Sequence, residues 1–155
     1  MLPIQTRHYI KGLDPVANAF AGTVTSDIVS LANWSNCTFI VFCGVGATGT
    51  STITVEACDD TSGTNTSAVP FTYREILTGD TPGTLTKATS SGFTTTAGSS
   101  RIVVVSIESQ ALAASGYKYV RLKAVEVVAS AVLGGILVEL GGPRLASEPN
   151  ASAIV

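Results

Sequence analysis

Cys37-Thr38-Phe39-Ile40-Val41-Phe42-Cys43 decides the fold. Every residue in this run is β-branched, aromatic or a small hydrophobe, and none is charged. Such a composition marks a strand covered on both faces. A glycine-rich stretch, Gly44 to Gly49, follows it. Thr50 to Glu56 then alternates, with Ile53 and Val55 on one side and Thr52 and Thr54 on the other, the period-two pattern of a half-buried strand. The two runs are expected to form a hairpin.

The same signals continue outward. Tyr117 to Val128 alternates, with Tyr117, Tyr119, Arg121 and Lys123 facing one way and Val120, Leu122 and Ala124 the other. Arg101 to Ser109 carries Ile102-Val103-Val104-Val105 and Ile107, a core strand. Val132 to Leu140 is the last strand, interrupted by Gly134-Gly135, a sign of a bulge or close backbone approach. Gly141-Gly142-Pro143 is expected to end it. Asp27 to Leu31, Val69 to Leu77 (Phe71 and Tyr73 on one face) and Thr84 to Thr89 complete about eight strands separated by turn residues. Asp59 to Ser67 and Ser90 to Ser100 read as loops, and Ala111 to Ala114 as at most one helical turn closed by Gly116. The fold class is therefore all-β: an antiparallel β-sandwich of jelly-roll type. Residues 1–22, punctuated by Pro3, Gly12, Pro15 and Gly22, keep no period and are expected to form an extended N-terminal arm. Residues 23–144 form the sandwich, and 145–155 a C-terminal tail.

Composition narrows the function. Charged residues are 13% of the 155, against about 25% in ordinary soluble domains. A domain with so few charges and so much Ser, Thr, Gly and Ala is expected to meet other protein over much of its surface. Net charge is -2, and the cations are scattered; Lys118, Arg121 and Lys123 come closest together, inside a strand pattern. No nucleic-acid partner is expected, since that needs a basic patch. Ala131 to Leu140 is apolar but carries Glu139 and falls short of the about 20 residues of a membrane span, so no membrane partner is expected either. The N-terminus has no apolar run suited to a signal peptide, and synthesis in a cytoplasm is the expectation. The three cysteines are Cys37, Cys43 and Cys58. Cys37 and Cys43 would lie about 20 Å apart along one strand, too far to bridge, and all three read as small buried hydrophobes.

Several motifs suggest chemistry, and each meets a physical objection. Gly44-Val45-Gly46-Ala47-Thr48-Gly49 fits G-x-G-x-x-G, but dinucleotide binding needs a helix next, and Thr50 to Val55 is a strand pattern. Asp59-Asp60, with Asp80, could supply oxygen ligands to calcium, yet aspartate is also a turn residue. His8 is the only histidine and lies in the expected arm, which leaves no nucleophile–base pair to assign. Glu56, Glu75, Glu108, Glu126 and Glu139 cannot be paired across a cleft from sequence. The N-x-[ST] matches at Asn33, Asn36, Asn65 and Asn150 are those a Ser/Thr-rich chain produces by chance. Trp34, at the start of a core strand, reads as core rather than as a sugar platform. No catalytic residue, cofactor or metal is assigned, and an enzyme is not expected.

Two blocks of sequence resemble a known class. They are Tyr117-Lys118-Tyr119-Val120-Arg121-Leu122-Lys123 with the later Leu140-Gly141-Gly142-Pro143-Arg144, and Cys37 to Val41 with Thr52 to Asp60. Together they are similar to small structural proteins of tailed bacteriophages, of the capsid decoration or cement type. The resemblance spans residues 35–144. It implies a β-sandwich that forms homodimers or homotrimers on the outer capsid surface of a virion and bridges neighbouring major capsid subunits, without catalysis. A tail, fibre or carbohydrate-binding component of the virion is the alternative. Leu2, Ile4, Tyr9, Ile10, Leu13 and Phe20 are the expected partner contacts, carried on the arm.

Overall fold

The computed structural model describes residue 4, residues 6–144 and the backbone of Ala153–Ile154. These residues form strands β1 (Arg7–Val16), β2 (Thr23–Thr25), β3 (Ile28–Ser30), β4 (Trp34–Cys43), β5 (Thr50–Cys58), β6 (Thr66–Val69), β7 (Phe71–Ile76), β8 (Thr86–Ala88), β9 (Phe93–Thr94), β10 (Arg101–Glu108), β11 (Tyr119–Val128), β12 (Gly134–Pro143) and β13 (Ala153–Ile154). A 3-10 turn, Ser109–Leu112, follows β10.

The strands form two sheets. One is six-stranded, in the order β1-β12-β4-β10-β7-β8. The other is seven-stranded, with β13-β3-β11-β5-β6 as its path, β2 beside β11 and β9 beside β5. All pairs are antiparallel. Followed along the chain, β1, β4, β10 and β12 lie in the first sheet, and β3, β5, β6 and β11 in the second. The backbone thus crosses between sheets at almost every connection. Spatial orders β1-β12-β4-β10 and β3-β11-β5-β6 trace the double Greek key of a jelly roll.

Alternation builds the core. In β4 the inward residues Cys37, Phe39, Val41 and Cys43 are buried. In β10 they are Val103, Val105 and Ile107, and in β11 Val120, Leu122 and Ala124. Trp34 is buried at the start of β4, with the His8 ring stacked 6.0 Å away. Phe93 stacks on Tyr73 at 3.5 Å and brings β9 against β7. The three thiols are free and buried.

Three expectations need correction. Residues 7–16 are not an arm: they are β1, paired with β12 from Arg7↔Gly141 to Val16↔Gly134. Register shifts between Lys11 and Leu13 and between Leu13 and Val16 break the inside–outside phase, so no period survives in the sequence. Gly12 is needed where β1 crosses β12, because a Cβ there would meet Val138 Cγ2 at 2.8 Å. Second, β4 and β5 do not form a hairpin. They lie in different sheets, and the glycine stretch turns the corner between them. A Cβ at Gly49 would stand 2.6 Å from the Ser130 carbonyl oxygen. Third, the strands outnumber the expected eight, because β2, β9 and β13 are only two or three residues long, β6 is split from β7 by Pro70, and β1 is additional. β12 also continues through Pro143, which pairs with Trp34. Of the expected tail, only β13 is described, and it pairs with β3.

Candidate interaction surface

The two outer faces of the sandwich differ chemically. On the six-stranded sheet, pairing places Lys11, Leu137, Ile40, Val104 and Arg74 in one row across β1, β12, β4, β10 and β7. The next row is Gly135, Phe42, Ile102 and Ile76. On the other side lies Tyr9, Glu139, Thr38, Ser106 and Thr72. Two central rows are thus apolar, with Lys11 and Arg74 at their ends. The third row is polar: Arg7 pairs with Glu139, and Thr38 Oγ1 lies 3.2 Å from Ser106 Oγ. Phe42 is 61% exposed, and Leu133 and Leu137 are each 43% exposed. An apolar centre with a polar rim is the anatomy of a protein interface.

Beside Phe42 this face opens into a slot of about 540 Å³, lined by Leu13, Pro15, Phe42, Leu133 and Leu137 over a floor of Gly134 and Gly135. A Cβ at Gly135 would lie 2.8 Å from the Leu13 carbonyl oxygen, and one at Gly134 would meet Phe20 Cε2 at 2.9 Å on the core side, so the backbone is close-packed at this edge of the slot. Lys11 and Asp14 form an ion pair of 3.2 Å and both border the slot.

The seven-stranded sheet presents polar groups around Glu56, and exposed Val125, Val127 and Val128 at the end of β11. Glu56 on β5 is buried and accepts from Arg121 Nε at 2.9 Å and Lys123 Nζ at 3.1 Å. The loop after β5 packs over this cluster: a Cβ at Gly63 would meet Arg121 Nη1 at 2.7 Å. Asp60 shapes that loop by accepting backbone N–H bonds from Ser62 at 2.9 Å and Gly63 at 2.8 Å. Asp59 accepts from the Asn65 side chain at 2.6 Å, and this bond draws its carboxyl below the usual range. Burial raises the Cys58 thiol to about 11. Burial also raises Cys37 and Cys43, the latter partly offset by Arg101. Arg101 is itself buried and donates to the carbonyls of Gly49, at 3.0 Å, and Thr96.

The sequence-expected contact residues do not stand together. Ile10 and Phe20 are core residues, 8% and 7% exposed, and offer nothing to a partner while β1 is paired. Leu13 is half-buried and lines the slot. Ile4 and Tyr9 are exposed. Leu2 lies outside the described residues. Trp34 is buried and Tyr73 is occupied by Phe93, so neither is free to stack on a sugar. Among the described residues, no three His, Cys, Asp or Glu side chains gather as a metal site, and no helix is long and apolar enough to cross a membrane. Sequence reasoning missed Phe42, Ile40, Ile102, Val104, Leu133 and Leu137 as a surface. The signal was present, since β4 and β10 are apolar at outward positions where alternation calls for polar residues.

These features define a jelly-roll β-sandwich whose six-stranded sheet has an apolar centre on its outer face. No protein-family model and no curated protein matches the sequence. In structure the chain is similar to the SPBc2 prophage-derived protein YomS, with a TM-score of 0.51 and 13% identity, over 92% of this chain and 98% of that one. At that identity the likeness is one of fold.

Proposed function

We propose that this chain is a non-enzymatic virion structural protein that decorates and cements a phage capsid by bridging major capsid subunits. One observation carries the reading: the six-stranded sheet turns an apolar centre with a polar rim outward, and nothing described in the chain covers it. Monomers seldom leave a contiguous apolar face open to water. The low charge content fits a surface shared with neighbours, and a prophage-derived protein has the same fold. On the opposite face Glu56 is engaged in ion pairs, and Asp59 and Asp60 in turn bonds.

The test is quantitative mass spectrometry of purified particles of the phage encoding this chain. A copy number comparable with that of the major capsid protein supports the proposal. A handful of copies per particle favours a tail or fibre component, and absence from particles refutes both.

A further inference from the structure

We infer that the glycine-floored slot receives the Phe42 side chain of a second copy of this chain, so that two copies pack six-stranded sheet against six-stranded sheet about a twofold axis. The inference rests on the reading of this face as an assembly surface, and it names the occupant.

Four features favour a second copy over another partner. The patch holds both a projection and a recess, as a twofold contact requires, because the same surface must complement itself. Phe42 is the projection, 61% exposed. The recess is the slot beside it, whose volume of about 540 Å³ leaves ample room for an aromatic ring. Its charge is also self-complementary. Lys11 and Asp14 stand together at the rim, 3.2 Å apart, so the rim is neutral and each cation can face the other copy's carboxylate. A face with one sign of charge would repel its own copy.

The area is sufficient as well. Five strands at about 4.8 Å spacing, and a ten-residue β4 rising about 3.3 Å per residue, give a face near 800 Å², the share of each partner in a standard interface. Finally, a twofold dimer displays its remaining surface twice, which is the property a bridging protein needs.

The experiment is analytical ultracentrifugation of the full chain over a micromolar concentration series, with capsid co-sedimentation measured in parallel. Phe42→Asp and Leu137→Asp are the patch variants. Val125→Asp, on the seven-stranded sheet, is the control, and melting curves confirm that each variant folds. A dimer is expected. Truncating a central interface residue costs about 30-fold, and both copies lose the ring, so Phe42→Asp should weaken self-association roughly 1,000-fold. Val125→Asp should leave it unchanged. Lys11→Asp and Asp14→Lys should each weaken the dimer, and the double variant should restore it.

A dimer that survives Phe42→Asp and Leu137→Asp overturns the inference. So does a wild-type chain that stays monomeric; if such a monomer still binds capsids in a Phe42-dependent way, the slot takes a capsid subunit and the proposed function stands. A Phe42-dependent dimer that never associates with particles upholds the inference and removes the proposed function.

Discussion

Removing the Glu56 carboxylate should destabilise the domain by about 3 kcal/mol in Glu56→Ala and about 2 kcal/mol in Glu56→Gln. The estimate starts from geometry. Glu56 Oε2 accepts from Arg121 Nε at 2.9 Å and lies 2.8 Å from Nη2, and Oε1 lies 3.1 Å from Lys123 Nζ. The carboxylate is almost wholly buried, while the two cations keep some access to water. Breaking a fully buried pair by deleting one partner costs about 3–5 kcal/mol. Partial hydration of Arg121 and Lys123 lowers that figure, and glutamine keeps the packing and some hydrogen bonding. Urea denaturation monitored by circular dichroism measures the effect. With m near 2 kcal/mol/M for a small domain, the midpoint should fall by about 1.5 M in Glu56→Ala. The triple variant Glu56→Leu/Arg121→Met/Lys123→Met should recover most of the loss, since an apolar replacement leaves no buried charge unpaired. A Glu56→Ala midpoint within about 0.25 M of wild type would refute the placement of this carboxylate beneath the loop after β5.

Deleting residues 1–20 removes β1 together with Ile10, Ala19 and Phe20 from the core. The truncated chain should fail to show a cooperative melting transition, whereas deletion of residues 1–5 should retain one. Cys37, Cys43 and Cys58 are buried and their thiols are shifted upward, so a thiol reagent such as DTNB at pH 8 should label none in the native state and all three in urea. Because the folded thiols hold their protons above the ordinary value of 9.0, the unfolded state ionises first. Their contribution is fully present below pH 9 and is lost as pH rises, for Cys58 between 9.0 and about 11. Urea midpoints measured on either side of pH 9 should therefore fall in the alkaline samples, and less steeply in Cys58→Ala.

The long core strands were legible because their inward residues carry the period-two signal without interruption. Ile53 and Val55 on β5, and Val120, Leu122 and Ala124 on β11, are buried as the alternation implies. β1 was hidden by its two register shifts, which move Leu13 and Val16 out of phase with Ile10. β9 is only two residues long, and no periodicity can be read in so short a span. The β4–β5 connection was misassigned because loop composition does not encode whether the next strand joins the same sheet or the facing one. That choice is made by the Gly49 approach to Ser130 and Val132, which is distant in sequence. The interaction face was half legible. The unbroken apolar run of β4 implied cover on both sides, but the chain supplies cover on only one, and Ile40 and Phe42 look outward. The expected contacts were instead placed on the N-terminal segment, whose apolar residues at Ile10 and Phe20 serve the core.

The position of β12 between β1 and β4 has a consequence for synthesis. β1 is made long before its permanent neighbour, which lies at residues 134–143. Until those residues emerge, β1 and β4 have a gap between them, with both flanking backbones unsatisfied. Closure of the sheet therefore waits for β12, which enters between two strands made much earlier. Over that interval each copy exposes strand edges that another copy could pair with.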